Sequence, residues 1–341
     1  MRSQEFYQRH LDAVSRSFAL CIPQLELPFG PQVALSYLLL RVLDTVEDSG
    51  FPDRRLQQRQ FSAFRQFLAE RPSREQVEAF RASFPPGITD GERHLLADTE
   101  AFIEDYHGLP AGSRAIVGSA IDRMAQGMAA YARRPAPLRL LDLEDVSRYC
   151  CIVAGVVGEL LTRLWALGGA PAPEMLHAYR FGLFLQKVNI LKDQAEDEAV
   201  GRFLVPDRRE ILASLRLDAE GALLYLTSLP ERERGYRIFC AWSLMLGASA
   251  LSQLDGPRES RRAQTIGLLG RTAKIAQDDD ALRQQFAGLL PALPEARFRP
   301  PVPKPEPAEW FVRMLDAPLS ADELAALFAV RESPQDAVAS Q

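Results

Sequence analysis

Residues 37–48 read YLLLRVLDTVED and residues 184–197 read FLQKVNILKDQAED. Each stretch carries an apolar, helix-period run into the same ending, Asp-x-x-Glu-Asp: Asp44 to Asp48 in the first, Asp193 to Asp197 in the second. In an α-helix, residues four apart share a face, about 6 Å apart along the axis. Asp44 is therefore predicted beside Asp48, and Asp193 beside Asp197. Like charges so placed repel unless something positive sits between them. Polar groups precede each pair within one or two turns: Tyr37 and Arg41 before the first, Gln186, Lys187, Asn189 and Lys192 before the second. Gln186, Asn189 and Asp193 align at three- and four-residue spacing, a polar stripe on an otherwise apolar helix. Lysine occurs only four times in the chain, and two of the four lie in this stretch.

One acidic helix end alone reads as a solvated surface. Two of the same shape, each behind an apolar helix, read as facing walls of a pocket. Carboxylate oxygens on both walls suit magnesium, which accepts a few such ligands and leaves its other positions to water and phosphate. The implied ligand is a diphosphate with an apolar body. The implied chemistry is departure of that diphosphate beside metal and cationic groups, with a carbocation kept from water in a dry cavity.

The surrounding chain supports a large helical domain. Of its 341 residues, 47% are hydrophobic and 25% charged, enough for a sizeable core and unlike a disordered or disulfide-stapled chain. A net charge of −5 gives no reason to expect nucleic acid. Helical patterning runs almost throughout, with segments predicted over 3–22, 31–48, 53–70, 90–106, 113–130, 143–165, 173–197, 218–226, 234–254, 261–276 and 279–289. Thr89 or Asp90 is a plausible N-cap for the fourth of these. Residues 1–290 form the expected helical domain. Residues 291–341 form a proline-rich linker and short tail, with a small amphipathic patch from Trp310 to Leu315 and a short helix over 320–330.

Other chemistry finds little support. Cys21, Cys150, Cys151 and Cys240 have no zinc spacing and read as buried thiols in a reducing compartment. His10, His94, His107 and His177 show no metal-binding spacing, and no Gly-rich phosphate loop or nucleophile elbow is present. The apolar runs 238–254 and 150–167 read as core helices rather than membrane anchors. Gly155 and Gly158 suit close helix packing. Phe239, Trp242 and Met245 are candidates for the deep end of the pocket, each of them also a natural core residue.

Together, Ser15-Arg16-Ser17-Phe18, residues 37–48, Tyr149 through Gly158 and Gly182 through Pro206 resemble the squalene and phytoene synthase family. The resemblance covers roughly residues 6–287, and its wording is nearest the squalene type, in Asp-Thr-Val-Glu-Asp and in Leu185-Gln186-Lys187. It implies an all-α class I isoprenoid synthase fold, with helices around a central cavity. It also implies head-to-head condensation of two farnesyl diphosphates through presqualene diphosphate, followed by reduction to squalene with NADPH. The alternatives are a reaction ending at presqualene diphosphate or at an unreduced thirty-carbon product such as dehydrosqualene, and phytoene synthesis from geranylgeranyl diphosphate. A catalytically silent helical assembly partner is the reading from a different class.

Carried onto these residues, the resemblance gives Asp44, Asp48, Asp193 and Asp197 to magnesium. Arg16, Tyr37, Arg41, Gln186, Asn189 and Arg202 go to the substrate diphosphate and pocket, and Lys187 and Lys192 to NADPH. Tyr149 falls to the first half-reaction. With an unperturbed pKa near 10 it is a poor base alone, so the nearby diphosphate is the proton acceptor of choice. Phe18 and Phe239 would flank cationic intermediates with their ring faces. Lys192 departs from the family's usual arginine, Ser49 from an aspartate and Trp242 from a proline, and these changes bear most on the reductive stage. The membrane anchor typical of eukaryotic relatives is not found in these 341 residues. The expected setting is the cytoplasm, with the greasy product implying contact with a membrane surface through residues 310–315.

Overall fold

A computed structural model describes residues 1–254 and 262–294. The helices, in chain order, begin with α1 Gln4–Val14, α2 Phe18–Cys21, α3 Phe29–Asp48, α4 Arg54–Ala69, α5 Arg74–Ala82, α6 Asp90–Ala97, α7 Thr99–His107 and α8 Ala111–Ala132. They continue with α9 Leu143–Cys150, α10 Val156–Leu167, α11 Met175–Lys192, α12 Gln194–Ala199, α13 Arg208–Ser228, α14 Arg234–Leu251, α15 Arg262–Ile275 and α16 Asp279–Leu289. Local chemistry explains many of their starts. Thr89 and Glu92 form a capping box at α6, as do Ser73 and Gln76 at α5. The Asp207 side chain accepts the Arg209 and Glu210 N–H groups at the start of α13, and the Asp278 side chain accepts the Ala281 N–H at the start of α16.

The fold is all-α, with helices around a cavity, as expected. Several boundaries differ. The first predicted helix breaks at residues 15–17 and resumes as α2, where the Ser15 hydroxyl accepts the Phe18 N–H. The predicted helix over 90–106 is two helices meeting at Asp98. The predicted helix over 143–165 runs to Leu167 and contains one π-helical turn, Cys151–Gly155. The predicted helix through Asp197 bends at Asp193, whose φ of −99° and ψ of 12° leave the helical range. Asp193 still accepts the Asp197 N–H at 2.9 Å, so the two acids remain one turn apart. One short parallel strand pair, β1 Leu138–Arg139 with β2 Arg202–Phe203, was not foreseen. It fastens the segment after α12 to the segment after α8. Gly201 precedes it at φ +80°, a left-handed turn that favours glycine.

The core lies between α3, α8, α10, α11, α13 and α14, and glycines set its closest crossing. A Cβ on Gly158 would lie 2.1 Å from the Ala178 carbonyl oxygen, and one on Gly182 would lie 2.3 Å from that of Ala154. Both partners are backbone, so neither site accepts a side chain without separating the helices. Helix 143–167 is long and apolar enough by length and composition to cross a membrane, yet half of it is buried in the protein. Residues 238–251 lie within the largely buried α14. All four cysteines are free and buried. Leu290 and Leu293, at the start of the proline-rich segment, pack on the core. Residues 295–341, including the patch at 310–315 and the expected helix at 320–330, lie outside the described residues.

Among the described residues, the fully buried charges are paired. Arg237, fully buried, donates to the carbonyls of Ala276 (2.6 Å) and Leu229 (2.5 Å) and to Asp279, fastening α14 to the last two helices. Arg123 meets Glu159 at 2.8 Å. Lys187, 2% exposed, meets Asp218 at 2.7 Å and donates to the Ser214 hydroxyl at 3.0 Å, joining α11 to α13. Removing one member of such a pair strands the other charge in the interior, at a cost of about 3–5 kcal/mol. Asp218→Ala is therefore expected to lower the unfolding free energy by about that amount in urea titrations. The double variant Lys187→Met/Asp218→Leu should recover most of it, because two apolar groups leave no stranded charge.

Candidate active site

The helices enclose a cavity of about 440 Å³. Three of them run along it lengthwise. α3 contributes Val33, Tyr37, Arg41, Asp44 and Asp48 in order, and α11 contributes Phe181, Leu185, Asn189 and Lys192, leading into Asp193. The helix from Leu143 to Leu167 runs the opposite way, from Tyr149 through Val153 and Val157 to Leu161. One end is therefore polar and acidic, and the other is apolar. The predicted walls are both present: Asp44, Asp48, Asp193 and Asp197 all line this cavity.

At the polar end Arg202 reaches across. Its guanidinium donates to Asp48, lies 4.0 Å from Glu47 and 3.8 Å from Asp197, and donates to the Tyr149 hydroxyl at 2.8 Å. Tyr149 in turn donates toward the Glu47 carboxylate at 3.3 Å. The Gly201 turn and the strand pair place Arg202 here, within a short loop of the second acid pair. Arg41 pairs with Asp44 at 3.0 Å within α3. On this cavity Arg41 Nε and Arg202 Nε are buried without a hydrogen-bond acceptor among the described residues.

Burial sets the electrostatics. It pushes the Asp44 carboxyl up to about 6 against the opposing pull of Arg41, and Glu47 up to about 8 against that of Arg202. It raises Asp197 as well. Burial, reinforced by the Glu47 charge, raises the Tyr149 phenol far above its ordinary value, with Arg202 opposing. The phenol is thus held protonated more firmly than in water, and phenolate is not available as a base near neutral pH.

Tyr37, Gln186 and Asn189 line the same cavity, and Phe18 and Phe239 stand near its apolar end with ring centroids 6.3 Å apart. Two expected residues are not brought in. Arg16 is exposed and off the cavity wall, because the chain leaves the helix at residues 15–17. Lys187 is also off the wall, turned into the interior against Asp218. Lys192 is half-exposed at the rim, 3.2 Å from Asp193. The two lysines expected to bind NADPH therefore do not form one nucleotide-binding patch. Glu47 is the residue that sequence reasoning passed over. It stands inside the quoted motif, three residues from Asp44, and the helical period already placed it beside that wall. Tyr225, at the apolar end, gave no such signal.

The donor set fits a hard cation. It is made of carboxylate oxygens on two walls, and among the described residues no three His, Cys, Asp or Glu side chains close on one point. Magnesium held by a few carboxylates and completed by water and phosphate oxygens matches such an open set.

The squalene/phytoene synthase family model matches residues 11–265. The squalene synthase of Mycosarcoma maydis is 34% identical over 204 residues, covering 58% of this chain and 34% of that protein. The squalene synthase of Schizosaccharomyces pombe is 30% identical over 276 residues, covering 71% and 57%. That of Ganoderma lucidum is 36% identical over 213 residues, covering 59% and 42%. The chain thus spans between a third and three fifths of the length of these relatives. Among solved structures, TcSQS with the ligand E5700 superposes with a TM-score of 0.69 at 25% identity, covering 84% of this chain and 92% of that one. A ligand-bound dehydrosqualene synthase shares the fold, with a TM-score of 0.52 at 16% identity over 79% and 95% of the two chains. The architecture is that of the class I isoprenoid synthases.

If Arg202 neutralises the acids it touches, its removal exposes their repulsion. Arg202→Gln is expected to lower Tm by about 1–2 °C without divalent cation, the shift for roughly 1 kcal/mol in a chain of 341 residues. Millimolar magnesium should return more of that loss to the variant than it adds to the parent protein. Scanning fluorimetry across a magnesium series reads both effects.

Proposed function

Because the chain belongs to the squalene/phytoene synthase family, we propose that it joins two farnesyl diphosphates head to head through presqualene diphosphate and reduces that intermediate to squalene with NADPH. The observation that carries the condensation is the pair of orphaned guanidinium nitrogens, Arg41 Nε and Arg202 Nε, on a cavity that also holds four aspartates. A buried N–H without an acceptor is costly, and diphosphate oxygens supply the missing acceptors.

In this reading Arg41, Arg202, Gln186, Asn189 and Tyr37 hold the diphosphates. Asp44, Asp48, Asp193 and Asp197 would hold magnesium, which when bound neutralises the charge of the departing diphosphate. The carbon–oxygen bond of one substrate breaks, and the double bond of the second attacks the resulting cation. Loss of a proton to the released diphosphate closes the cyclopropane. Apolar residues along the cavity, among them Leu40, Val157 and Leu185, keep water from the cation. Phe18 and Phe239 offer it their ring faces. Tyr149, held between Arg202 and Glu47, positions its hydroxyl beside the reacting end.

The reductive stage rests on the squalene-type wording around both acid clusters, not on the two lysines. One observation favours the alternative that ends at presqualene diphosphate or an unreduced thirty-carbon product: Lys187 is committed to Asp218. We place the protein at the cytoplasmic side of a membrane surface, where its substrate and product chains partition.

Purified protein given farnesyl diphosphate and magnesium, with and without NADPH, decides between these readings by gas chromatography and mass spectrometry. Squalene is expected only with NADPH. Presqualene alcohol after phosphatase treatment, or an unreduced hydrocarbon, in the presence of NADPH selects the alternative. Asp48→Asn and Asp197→Asn should each lower turnover at least about 10²-fold while staying folded, the scale for losing a group that stabilises developing charge. Unchanged turnover in both variants would sink the two-wall arrangement.

A further inference from the structure

A second cavity, about 490 Å³, lies behind the apolar end of the first. The same elements build both. On α3, Val33 faces the reaction cavity and Phe29, one turn away, faces the second. On α10 the pair is Leu161 and Leu164, and on α14 it is Phe239 and Tyr236. One helical turn is about 5.4 Å, so the two spaces are separated by a single layer of side chains. That layer is aromatic. Trp165 packs against Phe29 at 5.6 Å and against Tyr236 at 4.9 Å, and Tyr236 packs against Phe239 at 6.1 Å.

Three features distinguish this partition from ordinary core. Trp165 Nε1 is buried with no acceptor among the described residues, so turning the indole breaks none of their hydrogen bonds. The Tyr236 hydroxyl meets that of Tyr225, which lines the reaction cavity, so one polar contact bridges the two chambers. The outer cavity is lined by Leu27, 82% exposed, and Leu167, 53% exposed, beside Glu26, Gln32, Ser113 and Glu233, so its floor is not sealed.

We propose that the second cavity is a binding site for the long-chain polyisoprenoid hydrocarbon made in the first, and its route out past the Phe29–Trp165–Tyr236 partition. This rests on the functional reading above, which makes the product a hydrocarbon with no charged group. Leaving by the polar end would drag that hydrocarbon past Asp44, Glu47, Asp48, Asp193, Asp197 and Arg202 and strip water from them without offering a hydrogen bond. Leaving by the apolar end avoids that six-residue cluster; the outer cavity sets Glu26, Gln32, Ser113 and Glu233 among apolar residues, and among the described residues no buried ion-pair network lies across the route. Substrates enter with their diphosphates at the acids, and product departs at the opposite end.

Gly112 lines the outer cavity, and a Cβ there would meet only the Leu167 side chain, at 3.5 Å. Gly112→Trp therefore plugs the vestibule from its rim without touching the reaction cavity, and Leu167→Trp does so from the facing side should the first variant fold poorly. Rapid-quench single-turnover rates and steady-state rates are compared in each. The expected result is a fall of about fivefold or more in steady-state turnover with the single-turnover rate unchanged, since exit rather than chemistry would then limit the cycle. Equal losses in both rates, or no loss in either, would overturn the exit route. A separate arm measures binding of radiolabelled squalene while a farnesyl thiodiphosphate with magnesium fills the first cavity. Binding that the plug abolishes supports the site, and binding that is absent, or indifferent to the plug, overturns it. Because this arm needs no turnover, a chain inactive on farnesyl diphosphate would defeat the functional reading while still deciding whether the vestibule takes a hydrocarbon.

Discussion

Carboxylates from the C-terminal end of α3 and from the α11–α12 junction face one cavity, and they are stable there only with positive charge between them. α3 ends in Asp44, Glu47 and Asp48, and α11 ends at Lys192 just before Asp193. The α3 C-terminus is itself negative, so its backbone dipole adds to the repulsion at Asp44 and Asp48, whereas Asp197 sits in the first turn of α12. Arg202 answers this in the structure, touching acids from both walls and the Tyr149 hydroxyl. Much of the local architecture serves that one side chain. The bend at Asp193, the left-handed Gly201 and the two-residue strand pair carry the chain from the second acid cluster back to the first. A cluster that needs cations is also a place where a magnesium-bound diphosphate is welcome, so the electrostatic liability and the proposed chemistry have the same origin.

The remainder of the site follows from packing helices lengthwise along the cavity. Each helix lays a graded series of side chains along it, charged at one end and aromatic or aliphatic at the other. The width is held by backbone contact, with Gly158 against Ala178 and Gly182 against Ala154 leaving no room for a Cβ. Rigid walls and an apolar lining are what a reactive cation requires, since a mobile or wet cavity would quench it. The buried pairs Lys187–Asp218, Arg123–Glu159 and Arg237–Asp279 lie outside that lining, where they fix helix against helix. Such pairs contribute register and position more surely than net stability.

The two acid clusters and the apolar helices behind them were legible because helical period is a local property. Residues four apart share a face whatever surrounds them, so Asp44 with Asp48, and Asp193 with Asp197, could be read from spacing alone, as could the all-helical class. Arg202 and Tyr149 followed from the wording of the motifs. Arg16 and Lys187 did not come out as expected, for reasons that spacing does not contain. Arg16 sits where the chain leaves one helix and starts another, and Lys187 occupies the face of α11 that α13 covers.

The sequence by itself determined the all-helical class, which helix faces carry acid, and that the acids come in two matching sets. These are consequences of side-chain order along a fixed 3.6-residue repeat. Only the tertiary structure decided that Tyr225 belongs to the cavity wall, that Arg202 bridges the two acid sets, and that one lysine of the pair near the second cluster points into the protein. It alone decided, too, that a second chamber lies one helical turn behind the first. Those facts depend on which helix packs against which, and at what rotation about its axis, and that is settled by the joint burial of residues far apart in the chain.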